Sequence, residues 1–265
     1  MPSRVSLEIM QKEDRINIHI GTIPQCVNPP TSMNLLRTTI VGSRPICICV
    51  HDGVTYIGND SLNTIERITG DGNVQRSFIK QKAIVSSLKV FHNELYALVR
   101  ESGFKIKVFD LNGTLMREWP HVDTRNYLNK LGICGDRVVL PDRKNKVLAV
   151  YTRDGLLIKS VPLPQIDITQ IALTTVGDNS VIVSHYSSNS VFKVDITSGE
   201  TLWTSKHVQL PLGIVCYRDR YVLISKQGSS RTIDILDAET GIDMTALCLE
   251  LSAVLNDCSM ARLCS

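Results

Sequence analysis

The sequence predicts an all-β protein built as a six-bladed β-propeller, on three observations. Residues 86–120, SSLKVFHNELYALVRESGFKIKVFDLNGTLMREWP, read as four short apolar or alternating runs separated by tight turns, the pattern of a four-stranded meander. The glycine of the last turn recurs as Gly72, Gly113, Gly155, Gly199 and Gly241, at separations of 41, 42, 44 and 42 residues, a period that fits propeller blades. A single meander cannot bury both of its faces, so the repeat implies neighbours that cover one another.

Taken in order, residues 1–44 hold three strand candidates, at 4–10, 15–20 and 35–41, divided by a charged segment and by Pro29-Pro30. Five repeats follow, over residues 45–82, 83–125, 126–165, 166–208 and 209–250. The residues left over at the two ends exceed one period, so a closing blade is expected from 1–44 plus 251–265, with N- and C-terminal strands paired and the whole of 1–265 a single domain.

The Asp-Gly, Asn-Gly and Ser-Gly steps before the fourth strand supply the positive φ that tight hairpins of this twist need. At the opposite end of the blade, Asp60 with Asn63, Asp142 with Asn145, and Asn189 stand just before third strands, where short polar side chains bond the local backbone and shape the loop. The strings Asp142 to Gly155 (DRKNKVLAVYTRDG) and Asp60 to Gly72 (DSLNTIERITGDG) resemble the NHL repeat, D-x-x-N-x-x-I-x-V-F-x-x-x-G, and KIKVFDLNG over 105–113 matches its second half. The resemblance implies a six-bladed propeller of the kind found at the C-terminus of TRIM-NHL proteins, where it recognises RNA or protein, including the substrates of a ubiquitin ligase. The zinc-binding clusters that carry ligase chemistry are absent from this sequence, and the fourth and fifth units lack the leading Asp.

Composition narrows the chemistry. No run of about 18 apolar residues exists and the N-terminus is charged, so neither a membrane span nor a signal peptide is expected and the chain is placed in the cytoplasm. Cys47, Cys49, Cys134 and Cys216 fall in first strands among Ile, Val and Leu, as reduced core thiols do, and no C-x-x-C pair or histidine cluster suggests a metal. A calcium-dependent lactonase would need Glu, Asn and Asp converging on the central channel, for which Asn129 and Asp167 are almost the sole candidates. A WD-repeat propeller is disfavoured, since Trp119 and Trp203 are followed by Pro and Thr. The expectation is therefore a non-catalytic module with no cofactor and no small-molecule substrate.

Antiparallel order sorts the loops onto two faces. The long-loop face collects roughly fifteen basic side chains, among them Arg117 and Lys159, against six acidic ones, and the tight-turn face roughly thirteen acidic against four basic. A net charge of +3 conceals that polarity, and a basic face attracts an anionic partner. The ligand-binding candidates are Lys80, Lys82, Arg100, Arg125, Arg143, Lys144, Lys146 and Lys226, with Phe104, His185 and Tyr186 placed to stack on bases. The partner is expected to be a protein or single-stranded RNA.

Overall fold

The computed structural model describes residues 5–12, 15–22, 34–41, 45–59, 63–81, 83–121, 130–142, 144–163, 171–227 and 233–244. The first three stretches form β1 (Val5–Lys12), β2 (Arg15–Thr22) and β3 (Asn34–Val41), an antiparallel sheet in that order. The first blade is β4 (Pro45–His51), β5 (Val54–Asn59), β6 (Thr64–Ile68) and β7 (Val74–Lys80). The second is β8 (Ile84–Phe91), β9 (Glu94–Arg100), β10 (Phe104–Asp110) and β11 (Leu115–His121). The third is β12 (Gly132–Cys134), β13 (Arg137–Asp142), β14 (Val147–Thr152) and β15 (Leu157–Pro162), and the fourth β16 (Ile171–Val176), β17 (Ser180–His185), β18 (Ser190–Asp195) and β19 (Thr201–Ser205). The fifth is β20 (Pro211–Tyr217), β21 (Tyr221–Lys226) and β22 (Ile233–Asp237). First strands are neighbours in sequence, β4 beside β8, then β12, β16 and β20, so the blades follow one another around a common centre.

The expectation of six blades needs correcting: five stand among the described residues. Residues 1–44 supply three strands, which pair with one another as a three-stranded meander rather than a four-stranded blade. The strand meant to complete them, in 251–265, lies outside the described residues, and so does the pairing of the two chain ends. The fifth blade keeps only the beginning of its fourth strand, a bridge between Leu236 and Asp243 followed by Met244 N–H donating to the Ile235 carbonyl, before the description ends at 244.

The core lies between blades rather than within them. One cluster joins Cys47, Tyr56 and Ile65 of the first blade to Val85, Leu95 and Val99 of the second, and another joins Leu98 and Ile106 of the second to Val138 and Leu140 of the third. Val139 and Leu148 of the third meet Leu173 and Val183 of the fourth, and Ile182 and Val191 of the fourth meet Val222 and Ile224 of the fifth. Second strands are therefore buried on both faces, as in β9 and β13, while fourth strands such as β11 and β15 are mostly exposed. That gradient explains why second strands read as unbroken apolar runs.

Candidate functional site

The tight-turn rim is built from the repeated glycines. Gly72, Gly113, Gly155, Gly199 and Gly241 all take φ between 71° and 92°, a region costly to residues with a Cβ. In the first three the glycine N–H donates to the carbonyl three residues back, from Thr69, Asp110 and Thr152; in the last two it donates to the carbonyl four residues back, of Asp195 and Asp237. The extra residue contributes one to the longest interval, 44, between Gly155 and Gly199. The carboxylates of this rim are largely turn makers. Asp110 Oδ1 accepts from the N–H of Asn112 and Thr114, Asp195 Oδ1 from Thr197 and Ser198, and Asp237 Oδ1 from Glu239 and Thr240, all at 2.7 to 3.0 Å.

The turns at Gly113, Gly155, Gly199 and Gly241 also receive the fourth strand of the preceding blade. Trp119 of β11 lies over Gly155, where an added Cβ would sit 2.5 Å from the indole, and Trp203 of β19 lies over Gly241, where it would sit 2.6 Å away. Trp203 Nε1–H donates to the Ala238 carbonyl at 3.2 Å. Phe78 and Ile79 of β7 lie against Gly113 in the same manner.

Charged groups join the second and third blades at this rim. Arg117 donates to both Glu94 oxygens, at 2.8 and 2.7 Å, Arg153 Nη2 adds a third bond at 2.8 Å, and the Tyr96 hydroxyl donates a fourth at 2.8 Å. Arg117 Nε–H also reaches the Arg153 carbonyl at 3.0 Å. The two guanidiniums, Arg117 foremost, hold the Glu94 carboxyl down to about 2, against the opposing effect of its partial burial. Arg117 thus belongs to the tight-turn rim and not, as the sequence suggests, to the long-loop face: its register partner is Val108, two residues short of the Asp110 turn. Lys159 makes the same move, its ammonium donating to the Thr197 carbonyl of the next blade's turn.

On the long-loop face the structure separates the candidate residues into three groups. Lys82, Arg125 and Arg143 lie outside the described residues, as do Asn129 and Asp167. Lys80, Lys144 and Lys146 are exposed, with no ion pair among the described residues, and Arg100 is half-buried at the end of β9. Lys226 is already partnered, its ammonium 2.6 Å from Asp234 Oδ1. Lys105 and Lys107 are likewise occupied by Glu101 and Glu118.

The stacking residues fare differently. Phe104 is 2% exposed, opening β10 on the same side as buried Ile106 and Val108, and His185 closes β17 with its Nδ1 2.5 Å from Ser188 Oγ and 1% exposure. Neither ring face is open to a ligand in this arrangement; Tyr186 is half-buried in the loop that follows. Asp142, 4% exposed, accepts from the N–H and side-chain amide of Asn145 at 3.1 and 2.7 Å, the loop-shaping role expected of that pair. The thiols of Cys47, Cys134 and Cys216 are raised to about 12, 11 and 12 by burial, which suits packing and opposes nucleophilic use. No cluster of three metal-ligating side chains occurs among the described residues.

Residues 116–243, just under half of the chain, match the family model described as outer membrane protein assembly factor BamB. That span contains both Trp-on-glycine contacts. No curated protein matches the chain. Among solved structures, the WD40 β-propeller domain of Doa1 is 12% identical with a TM-score of 0.61, covering 91% of this chain and 82% of its own. Virginiamycin B lyase from Staphylococcus aureus is 16% identical with a TM-score of 0.63, covering 89% and 82%, and a protein of unknown function from Bacteroides caccae is 12% identical with a TM-score of 0.63, covering 91% and 93%. The chain is a β-propeller, similar over residues 116–243 to the BamB model, and identities this low carry the fold alone.

Proposed function

We propose that this propeller is a non-catalytic recognition module whose long-loop face engages an acidic segment of a partner protein. The observation that carries the reading is that Lys80, Lys144 and Lys146 are exposed with no ion pair among the described residues, whereas Lys105, Lys107 and Lys226 of the same face are already matched. Cations left unmatched on a rigid scaffold attract and orient a complementary anion. The burial of Phe104 and His185 favours protein over single-stranded RNA, because sequence-tolerant RNA binding relies on open aromatic faces. The name of the matching family model, an assembly factor, is in keeping with a scaffold role. The finer NHL-type assignment belongs to the same proposal, supported by the Asp142–Asn145 contact of the D-x-x-N step.

The test is fluorescence anisotropy of the full chain with a labelled Glu-rich peptide and with oligouridine, at increasing salt. The reading expects the peptide to bind, to weaken with salt, and to lose about tenfold or more when Lys144 and Lys146 are both changed to Glu. Oligouridine binding tighter than peptide binding would transfer the face to RNA. Peptide binding indifferent to the double change would refute the site.

A further inference from the structure

A second surface lies on the outer wall of the blades. Of the ten large hydrophobic side chains exposed among the described residues, seven stand one to three positions after a repeat glycine: Leu115, Met116, Leu156, Leu157, Ile158, Leu202 and Ile242. Scattered exposed aliphatics are ordinary, but a recurrent position is not scatter. The register shows how the position arises. Val108 pairs with Arg117 while Phe109 pairs with Leu115, which leaves Met116 as the extra residue of a β-bulge. The same shift leaves Ile158 unpaired between Leu157 and Lys159, and Leu202 between Thr201 and Trp203. Three successive blades therefore push a large aliphatic side chain outward at the equivalent bulge, 54%, 53% and 49% exposed.

Nothing in a bulge requires an apolar residue, and a polar one would be the default at such exposure. The five residues Leu115, Met116, Leu156, Leu157 and Ile158 are brought to adjoining places by the Arg117–Arg153 carbonyl bond and by Trp119 over Gly155. Strands β11 and β15 are the outermost of their sheets, so their outer edges carry no strand partner within the blade. Pro120 and Pro162 close the far ends of those edges to pairing, whereas the ends next to the turns lack proline.

Charge around this band selects its partner. Arg117 and Arg153, 23% and 28% exposed, make their close pairs with Glu94 at 2.7 and 2.8 Å and reach Asp154 and Asp136 only at 3.6 and 3.8 Å, which leaves those two carboxylate side chains 89% and 76% exposed. Glu200, just after Gly199, is exposed too, whereas Lys159 is half-buried and spent on Thr197. Outward carboxylates beside outward aliphatics form a surface for a segment that alternates aliphatic and cationic side chains. We propose that the bulge row of the second and third blades, Leu115–Met116 and Leu156–Leu157–Ile158, docks a basic, apolar, extended segment of a partner protein. Added at the open strand edge, that segment sets its aliphatic side chains on the row and its cations near Asp154, in the turn that leads into β15.

The experiment uses the full chain and labelled peptides of about ten residues, the upper end of ordinary strand length. One peptide alternates Leu with Lys, one Leu with Glu and one Ser with Lys. Only the Leu/Lys peptide is expected to bind, with about tenfold or greater loss in the Leu156→Ser/Ile158→Ser variant and a smaller loss in Asp154→Asn. Hydrogen exchange on the wild-type protein provides a readout free of any variant: the bound peptide slows exchange at 115–117 and 156–159. Equal binding of the Leu/Glu peptide, protection elsewhere, or an unaffected double variant overturns the proposal. A wild-type dimer that the double variant dissolves would assign the row to a second copy of this chain, and so overturn it as well.

Discussion

Replacing Gly155 with Ala tests whether successive blades are joined by the contact between a fourth strand and the next blade's turn. Gly155 has φ +89°, and its added Cβ would lie 2.5 Å from Trp119 Cγ and Cδ2 and 3.0 Å from Cβ. The backbone term alone, an alanine held in the left-handed region, costs about 1–2 kcal/mol. Overpacking against an indole buried to 7% exposure adds about 1–3 kcal/mol, because a ring joined at Cγ moves only by shifting its strand. Gly53 separates the two: its φ is +74° and a Cβ there meets nothing within 4 Å. Gly53→Ala is therefore expected to cost about 1–2 kcal/mol and Gly155→Ala about 2–5 kcal/mol. Urea unfolding followed by tryptophan fluorescence reads both. If the two variants were equally destabilised, the indole would not be braced against the turn and the account of blade joining would fail.

Two further outcomes follow from the same geometry. Glu94 has its folded value lowered from 4.5 to about 2, so the stability it contributes is fully present above pH 4.5 and is lost as pH falls through 2; Glu94→Gln should cost about 2–3 kcal/mol at pH 7, and the gap between variant and wild type should close towards pH 2. A pH-independent gap in unfolding free energy would contradict the charge argument. Cys47, Cys134 and Cys216, with thiols raised well above their ordinary value by burial, should resist iodoacetamide at pH 8 in the native protein and react once it is unfolded in urea, as read by mass spectrometry. Rapid native labelling of Cys47 would show that the first two blades do not pack as described.

The glycine period was legible in the sequence because one residue type is demanded wherever φ exceeds +70°, and that demand repeats with the blade. Loop shaping by Asp142 and Asn145 was legible for a similar reason, since it is local. Burial of Phe104 is readable from parity, since it alternates with Ile106 and Val108, a phase that does not leave its ring open for stacking on bases. The position of Arg117 is not, because its partners Glu94 and Arg153 lie 23 and 36 residues away and meet it only once two blades are side by side. The bulge row escaped notice for the same kind of reason: an extra residue in β11, β15 or β19 appears only when the strand is set against its neighbour. The blade count failed where the repeat itself fails, since residues 1–44 carry no glycine in the period and form a sheet one strand short.

The central claim, that a partner's acidic segment sits on the long-loop face, is tested most directly by lysine footprinting. The full chain is acetylated with and without a saturating Glu-rich peptide, and each lysine is read by mass spectrometry. Protection is expected at Lys80, Lys144 and Lys146 and not at Lys159 or Lys193, which lie towards the opposite rim with Thr197 and Glu239. Protection spread evenly over both sets, or confined to the second, would contradict the claim.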